Sequence, residues 1–414
     1  ACETLHAALA NAAPEVKAAL LDGCLNCAAA AQDGKRVAQY EELMAAGQPG
    51  HVRAAALAGL IKADPSGALN RVVAALCDPD VELVHVAAGF VRDQKALTGV
   101  AATRAVAELL NKADAAHKVL LIDALAGRGD SAAGSAIMKL SDDKDSAVSL
   151  AALKALGRVG NAECTELLLK KAMNVESDIR RTARTSLSTL PGNGVDAELV
   201  RLAKKGKGEA RNEAIRALTD RRAAGMKRDL LDMANDPAVQ GDVYKAMQAM
   251  GDEKDLPALF ALLEKAKDQP GRDPIEGAIS AICLRVVKED ARAEAVLDKL
   301  KSAPNAELKA SCLRILGGIP TAKSLDALRA AVQDADAGIR LVAVDKLGGW
   351  PNPAPLDDLK ALASAPKSEE ERAAALKGYI RVLRMVKDRP VADLLARYTE
   401  VFALAKNEGE RKAA

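Results

Sequence analysis

The stretch Asp334 to Gly349 reads DADAGIRLVAVDKLGG. An acidic turn opens it, Ile339, Ala343 and Leu347 follow at four-residue spacing, and two glycines close it. On an α-helix these three positions lie within about 80° of one another, which makes one narrow apolar stripe of mostly small residues and allows close helix packing. The pattern recurs in both directions. Aligned on Ile339, the anchors are Val16, Val52, Val81, Ala116, Val148, Ile179, Ala210, Val239, Ile275, Leu308, Ile339 and Glu371, separated by 29 to 36 residues. A period of about 32 residues is the size of one helical hairpin in a solenoid. Four and eight residues after each anchor the stripe continues, from Leu20 and Cys24 in the first repeat to Ala375 and Tyr379 in the last. In the third repeat this alignment places His85 in the core.

Between the anchor helices stands a second run of spaced apolar residues, as at Ile137 to Leu140, Glu166 to Ala172, Leu199 to Ala203, Leu256 to Leu263 and Leu325 to Val332. Each reads as the other helix of a hairpin. Turn residues fall between them, for example Asp78-Pro79-Asp80, Asp236-Pro237 and Pro351-Asn352-Pro353. No window alternates with period two for long enough to argue a strand.

Composition agrees. Of 414 residues 49% are apolar but only eight are aromatic, so Ala, Leu and Val carry the hydrophobic share, as in a helical protein. With 59 Lys and Arg against 57 Asp and Glu, the net charge of +2 is too near balance to imply a nucleic-acid or anionic-membrane partner for the whole chain. The nearest approach to a membrane-spanning run, Leu83 to Val91, is far too short.

The chain resembles the HEAT-repeat family. That family's second helix opens on an acidic or Pro-containing turn, continues with Val-Arg and spaced Ala, and ends in Leu-Gly. His51-Val52-Arg53, Asp178-Ile179-Arg180, Asp334 to Arg340 with Leu347-Gly348, and Ser146 to Leu156-Gly157 carry the likeness. The repeats anchored on Val81, Ala116, Val239 and Ile275 lack the Arg. The resemblance implies an all-α, right-handed α-solenoid of about twelve HEAT-like hairpins in one continuous array over 1–414. Within it, 1–13 is a leading helix, 14–387 the repeats and 388–414 the first helix of an incomplete last hairpin. The runs Asp22 to Gln48 and Lys377 to Lys412 are similar to HEAT arrays of large planctomycete-type multidomain proteins. That likeness implies an exported protein whose array adjoins a further domain.

Little chemistry is legible on this scaffold. Cys24 and Cys27 form a Cys-x-x-Cys with no second pair or His pair at zinc spacing, and both read as small core residues, as do Cys283 and Cys312. His6, His51, His85 and His117 are isolated from one another. No phosphate-binding glycine loop or nucleophile elbow occurs, and Gly129-Asp130-Ser131 reads as an inter-helix turn. The expectation is a non-enzymatic scaffold with no cofactor and no metal.

What remains is surface. The residue six after each anchor lies about 200° from the centre of the stripe, on the side that lines the concave face in solenoids of this kind. This column contains Lys154, Arg216, Lys245, Arg314 and Lys377, all from the fifth repeat onward, and predicts a weakly basic track for a protein partner's acidic face. The alternative is a nucleic-acid or polyanion site in the basic stretch 180–228, which has no aromatic residue for base stacking. Finally, Trp350, Tyr379, Tyr398 and Phe402 place half of all aromatics near the C-terminal end. They read either as a junction surface that an adjacent domain or second copy covers, or as core between the last hairpins.

Overall fold

The computed structural model describes residues 2–9, 12–387 and 390–413. Among these there are 26 α-helices, seven short 3-10 turns and no strand. The fold is an all-α solenoid of stacked hairpins. The chain divides into two compact units, Ala1–Arg221 and Arg222–Ala414. In the first, the anchor helices are Pro14–Ala30, Gly50–Ala63, Val81–Arg92, Ala115–Arg128, Ser146–Val159, Ser177–Thr189 and Glu209–Asp220. In the second they are Gln240–Met250, Gln269–Leu284, Ala306–Gly317, Ala337–Gly348 and Glu369–Leu383. Within a unit each anchor helix packs on the anchor helix of the next hairpin and on its own hairpin partner. The leading helix is Cys2–Leu9.

The helices begin where local chemistry tells them to. Asp145, Asn305, Asp336 and Ser368 each accept a hydrogen bond from the backbone N–H three residues on, at 2.9 to 3.2 Å, which satisfies a donor the first turn leaves open. The cap thereby sets the register: the third helical residue, Val148, Leu308, Ile339 or Glu371, is the first to turn inward. Stripe residues such as Ala152, Leu156, Ala183, Leu187, Cys312, Leu316, Ala343 and Leu347 are at most 1% exposed.

The same rule corrects two repeats. Asp80 caps its helix by accepting from Glu82 and Leu83 N–H, so Val81 is the first helical residue and stands 64% exposed. The true stripe is Leu83, Ala87 and Val91, and His85 is a surface residue whose Nδ1 lies 2.7 Å from the Val81 carbonyl oxygen. Asp114 caps the next helix, which shifts its stripe by one residue, to Leu121 and Leu125. Six residues after Val81 and Ala116 stand Ala87 and Ile122, which are buried, so the outward positions of these two repeats are Gly89 and Asp123, both exposed.

A second recurrent device ties the stack together. Near the end of several anchor helices an Arg reaches back to the carbonyls that close the preceding anchor helix. The guanidinium of Arg128, itself 4% exposed, donates to Val91 O at 3.1 Å and Leu97 O at 2.7 Å. Arg221 donates to Leu187 O and Leu190 O, and Arg285 to Gln248 O and Gly251 O. Helix C-termini leave carbonyls without intrahelical partners, and these cations satisfy them while complementing the helix dipole.

Candidate functional site

The outward column of the anchor helices is the candidate binding face. In the first unit, with the register corrected, it reads Asp22, Ala58, Gly89, Asp123, Lys154, Thr185 and Arg216. In the second it reads Lys245, Ala281, Arg314, Asp345 and Lys377. The five predicted basic residues fall into two groups. Lys154, Lys245 and Lys377 are exposed; Lys245 is 76% exposed and stands 3.5 Å from Asp242.

Arg216 and Arg314 are engaged in the fold. The Glu213 side chain is 1% exposed and accepts from Arg184 at 2.6 and 2.7 Å and also from Arg216. This carboxylate holds the Arg184 guanidinium above its ordinary value, chiefly through the hydrogen bonds. Arg314 donates to both Glu276 oxygens at 3.1 Å, across to the preceding anchor helix, and to Ser311 Oγ of its own helix at 3.1 Å. A carboxylate withdrawn from water needs such partners, so these arginines stabilise the stack. They are not open positions on a track. Arg340 with Glu371, at 2.7 Å, repeats the arrangement one hairpin on.

Charge reversal separates the two groups. Arg314→Glu should lower stability by about 2 kcal/mol, since it sets a second carboxylate beside a nearly buried one. Lys245→Glu should change it by less than about 0.5 kcal/mol. Urea midpoints of the two variants measure the difference.

The basic stretch 180–228 is similarly engaged. Arg180 donates to Asn174 O, Arg211 to Ala203 O, and Arg221 to Asp196 as well as to its carbonyls. Arg181 pairs with Asp178 and Arg201 with Glu198. Lys227 binds Asp255 at 2.7 Å and Asp252 at 2.5 Å. Sequence reading counted these cations but missed their internal partners, which for Arg221 and Lys227 lie 25 or more residues away.

Around Lys377 the column meets a groove. A cavity of about 580 Å³ lies between the Glu369–Leu383 helix and the segment Asn407 to Glu410. Leu376 and Ile380, 1% and 5% exposed, form its floor. Lys377, Arg381 and Arg384 line one side at positions i, i+4 and i+7, which on a helix fall on one edge. The far wall is held by Arg372, 4% exposed, which donates to Glu410 at 2.6 Å and to Leu404 O at 3.0 Å.

The aromatic quartet divides. Trp350 and Tyr379 are 2% and 0% exposed, which corrects their assignment to a junction surface: both fill the core of the last hairpins. Tyr398 is half-buried and Phe402 is 50% exposed.

Nucleophilic chemistry has no support from the cysteines. Burial pushes the Cys283 thiol up to about 11 and the Cys312 thiol up to about 12, so both stay protonated near neutrality. Cys24 is buried and Cys27 half-buried. His117 is held by Asp114 at 3.0 Å. Gly129, with φ of 74°, closes one helix before Asp130 caps the next turn, so the Gly-Asp-Ser run is a connection. Among the described residues no three His, Cys, Asp or Glu are placed to hold a metal ion, and no helix is long and apolar enough to cross a membrane.

The model of the HEAT-repeat family matches residues 103–188 and 293–379, one stretch in each unit. No curated protein matches the chain. Among solved structures it is similar to an engineered protein, with 18% identity, 93% of this chain and 98% of that chain covered, and a TM-score of 0.32. It is also similar to the structure of Kap95p with RanGDP, at 13% identity, 99% and 65% coverage and a TM-score of 0.39. Kap121p bound to Nup53p matches at 14% identity, 95% and 52% coverage and a TM-score of 0.45. The chain thus spans 65% and 52% of those two longer chains.

Proposed function

We propose that these HEAT repeats form a non-enzymatic scaffold that binds an acidic segment of another protein. The observation that carries this reading is the groove beside Lys377, where an apolar floor lies under a row of three cations. An apolar floor seats side chains of a partner, and cations on one edge select acidic residues flanking them and speed encounter. Lys154 and Lys245 are further exposed cations on the same column of their own units.

The nucleic-acid reading of 180–228 is the weaker one. A phosphate track needs cations free to displace counterions, and the arginines there are bound to carboxylates and carbonyls of their own fold.

A fluorescein-labelled helical peptide of Glu and Leu, followed by anisotropy, tests the proposal. The Lys377→Glu, Arg381→Glu double variant should weaken binding about tenfold or more at low salt, and the wild-type affinity should fall as salt rises. Lys154→Glu, in the other unit, is the control and should leave peptide binding at the groove unchanged. Equal affinity of wild type and double variant would overturn the site. Tighter capture of a single-stranded oligonucleotide, lost on Lys205→Glu and Lys207→Glu, would favour the polyanion reading instead.

A further inference from the structure

The ends of the anchor helices Gln240–Met250 and Gln269–Leu284, with the turns that follow them, border a cavity of about 610 Å³. Ile282, 1% exposed, and the buried Gly251 lie at its base, with half-buried Met250 and Val286 beside them. Val287, 93% exposed, stands at its mouth. The cavity lies between consecutive hairpins in mid-chain and shares no residue with the groove beside Lys377.

Three cations line it. The Arg285 guanidinium is fixed by carbonyls: Nη1 donates to Gln248 O at 2.6 Å and Nη2 to Gly251 O at 2.8 Å, while Nε–H has no acceptor among the described residues. Arg222 and Lys254 are exposed, and neither side chain makes an ion pair or hydrogen bond among the described residues. Arg222 is also the one described non-glycine residue with positive φ, at 51°. Sterics disfavour that backbone for any residue with a Cβ, and positions held in it concentrate at ligand sites. Two carboxylates stand against the three cations, Asp252 and Glu253, and Asp252 is already held by Lys227 at 2.5 Å.

No lining side chain carries a hydroxyl, an amide, an imidazole or an aromatic ring. A sugar would find no side chain to pair its hydroxyls, and a nucleobase none to stack on. What the cavity offers is apolar surface at depth and a small excess of positive charge at the rim, which complements one negative charge on an apolar body. We infer that it binds a monocarboxylate with an aliphatic tail, a medium-chain fatty acid, whose carboxylate faces Arg222, Lys254 and Arg285 and whose tail covers Ile282, Met250 and Val287. The volume lies within the range of small-ligand sites, and a guanidinium already fixed in place pairs with a carboxylate at little ordering cost. The inference uses none of the residues of the Lys377 groove and stands apart from the partner binding proposed there.

Isothermal titration of the full chain with sodium decanoate tests it. One-site binding is expected, with a dissociation constant of about 100 µM or below at low salt, weakening as salt rises. Decyltrimethylammonium, with the same tail and the opposite charge, should bind at least about tenfold more weakly. Arg222→Gly and Lys254→Glu should each weaken decanoate binding about fivefold or more. Arg222→Gly should melt no lower than wild type, because glycine adopts positive φ freely, so its loss of binding cannot come from unfolding. Lys377→Glu should leave decanoate binding unchanged. Absence of saturable binding, equal binding of the cationic analogue, or unchanged affinity in both cavity variants would overturn the inference. A peptide with a free C-terminal leucine that binds about tenfold more tightly than decanoate, and loses this on C-terminal amidation, would overturn the fatty-acid assignment in favour of a chain terminus.

Discussion

Leu218→Asp should destabilise the Ala1–Arg221 unit by on the order of 4 kcal/mol. Leu218 is 0% exposed on the Glu209–Asp220 helix, in the stripe column that packs against its hairpin partner and the preceding anchor helix. Removing the leucine forfeits the burial of a full aliphatic side chain and leaves a cavity, at about 3 kcal/mol or more. The new carboxylate either stays charged without a partner or takes up a proton against its ordinary value, and both cost further free energy. In a stack, each hairpin draws its stability from its immediate neighbours. The loss should therefore appear as local opening: amide hydrogen exchange rises first in Ser177–Thr189, Val195–Lys205 and Glu209–Asp220. An unchanged urea midpoint and unchanged exchange there would remove Leu218 from the core.

Gly378→Val is the second large effect, expected at about 3 kcal/mol or more. The Ala337–Gly348 and Glu369–Leu383 helices cross with their backbones in contact at Gly348 and Gly378. A Cβ added at Gly378 would stand 2.6 Å from the Gly348 Cα and 3.1 Å from Leu359 Cδ2, and one added at Gly348 would stand 2.8 Å from the Gly378 Cα. Backbone cannot move aside by changing rotamer, so the helices must separate, and Trp350 and Tyr379, buried in the same hairpins, lose contacts as well. Gly89→Ala is the matched control. A Cβ there meets nothing within 4 Å, and the substitution should raise stability by roughly 0.5–1 kcal/mol through helix propensity. Thermal melts of the two variants decide the matter: similar midpoints would mean that the close crossing carries no constraint.

Much of this architecture is legible without coordinates because it is written in short-range code. Eleven of the twelve anchors lie in helices of the stack, and Val239 stands immediately before its helix, Gln240–Met250. Capping residues such as Asp145 and Asp336 stand three positions before the first inward residue, so cap and stripe together announce each helix within a dozen residues. The reading slipped at Val16, which is 51% exposed on a helix that buries Leu21, Cys24 and Ala28, and at Val81 and Ala116, where it aligned an apolar residue in place of the cap. Asp80 and Asp114 carried the missing signal.

The surface was less legible for a reason rooted in geometry. Helical periodicity gives the direction of a side chain on its own helix, and so it correctly turned Lys154, Lys245 and Lys377 toward solvent. It says nothing about what the neighbouring helix presents. Arg314 points outward from its own axis, yet it meets Glu276, 38 residues earlier, and Arg184 meets Glu213, 29 residues later. By position Trp350 could be surface or core, and packing makes it core; Tyr379, which the stripe turns inward, is core as well. The sequence alone therefore determined the repeat, the helices and the apolar stripes, because hydrogen-bond caps and 3.6-residue periodicity act within one turn or two. Only the tertiary structure decided which charges remain open for a partner, because that depends on contacts between hairpins that the chain brings together from 25 to 40 residues apart.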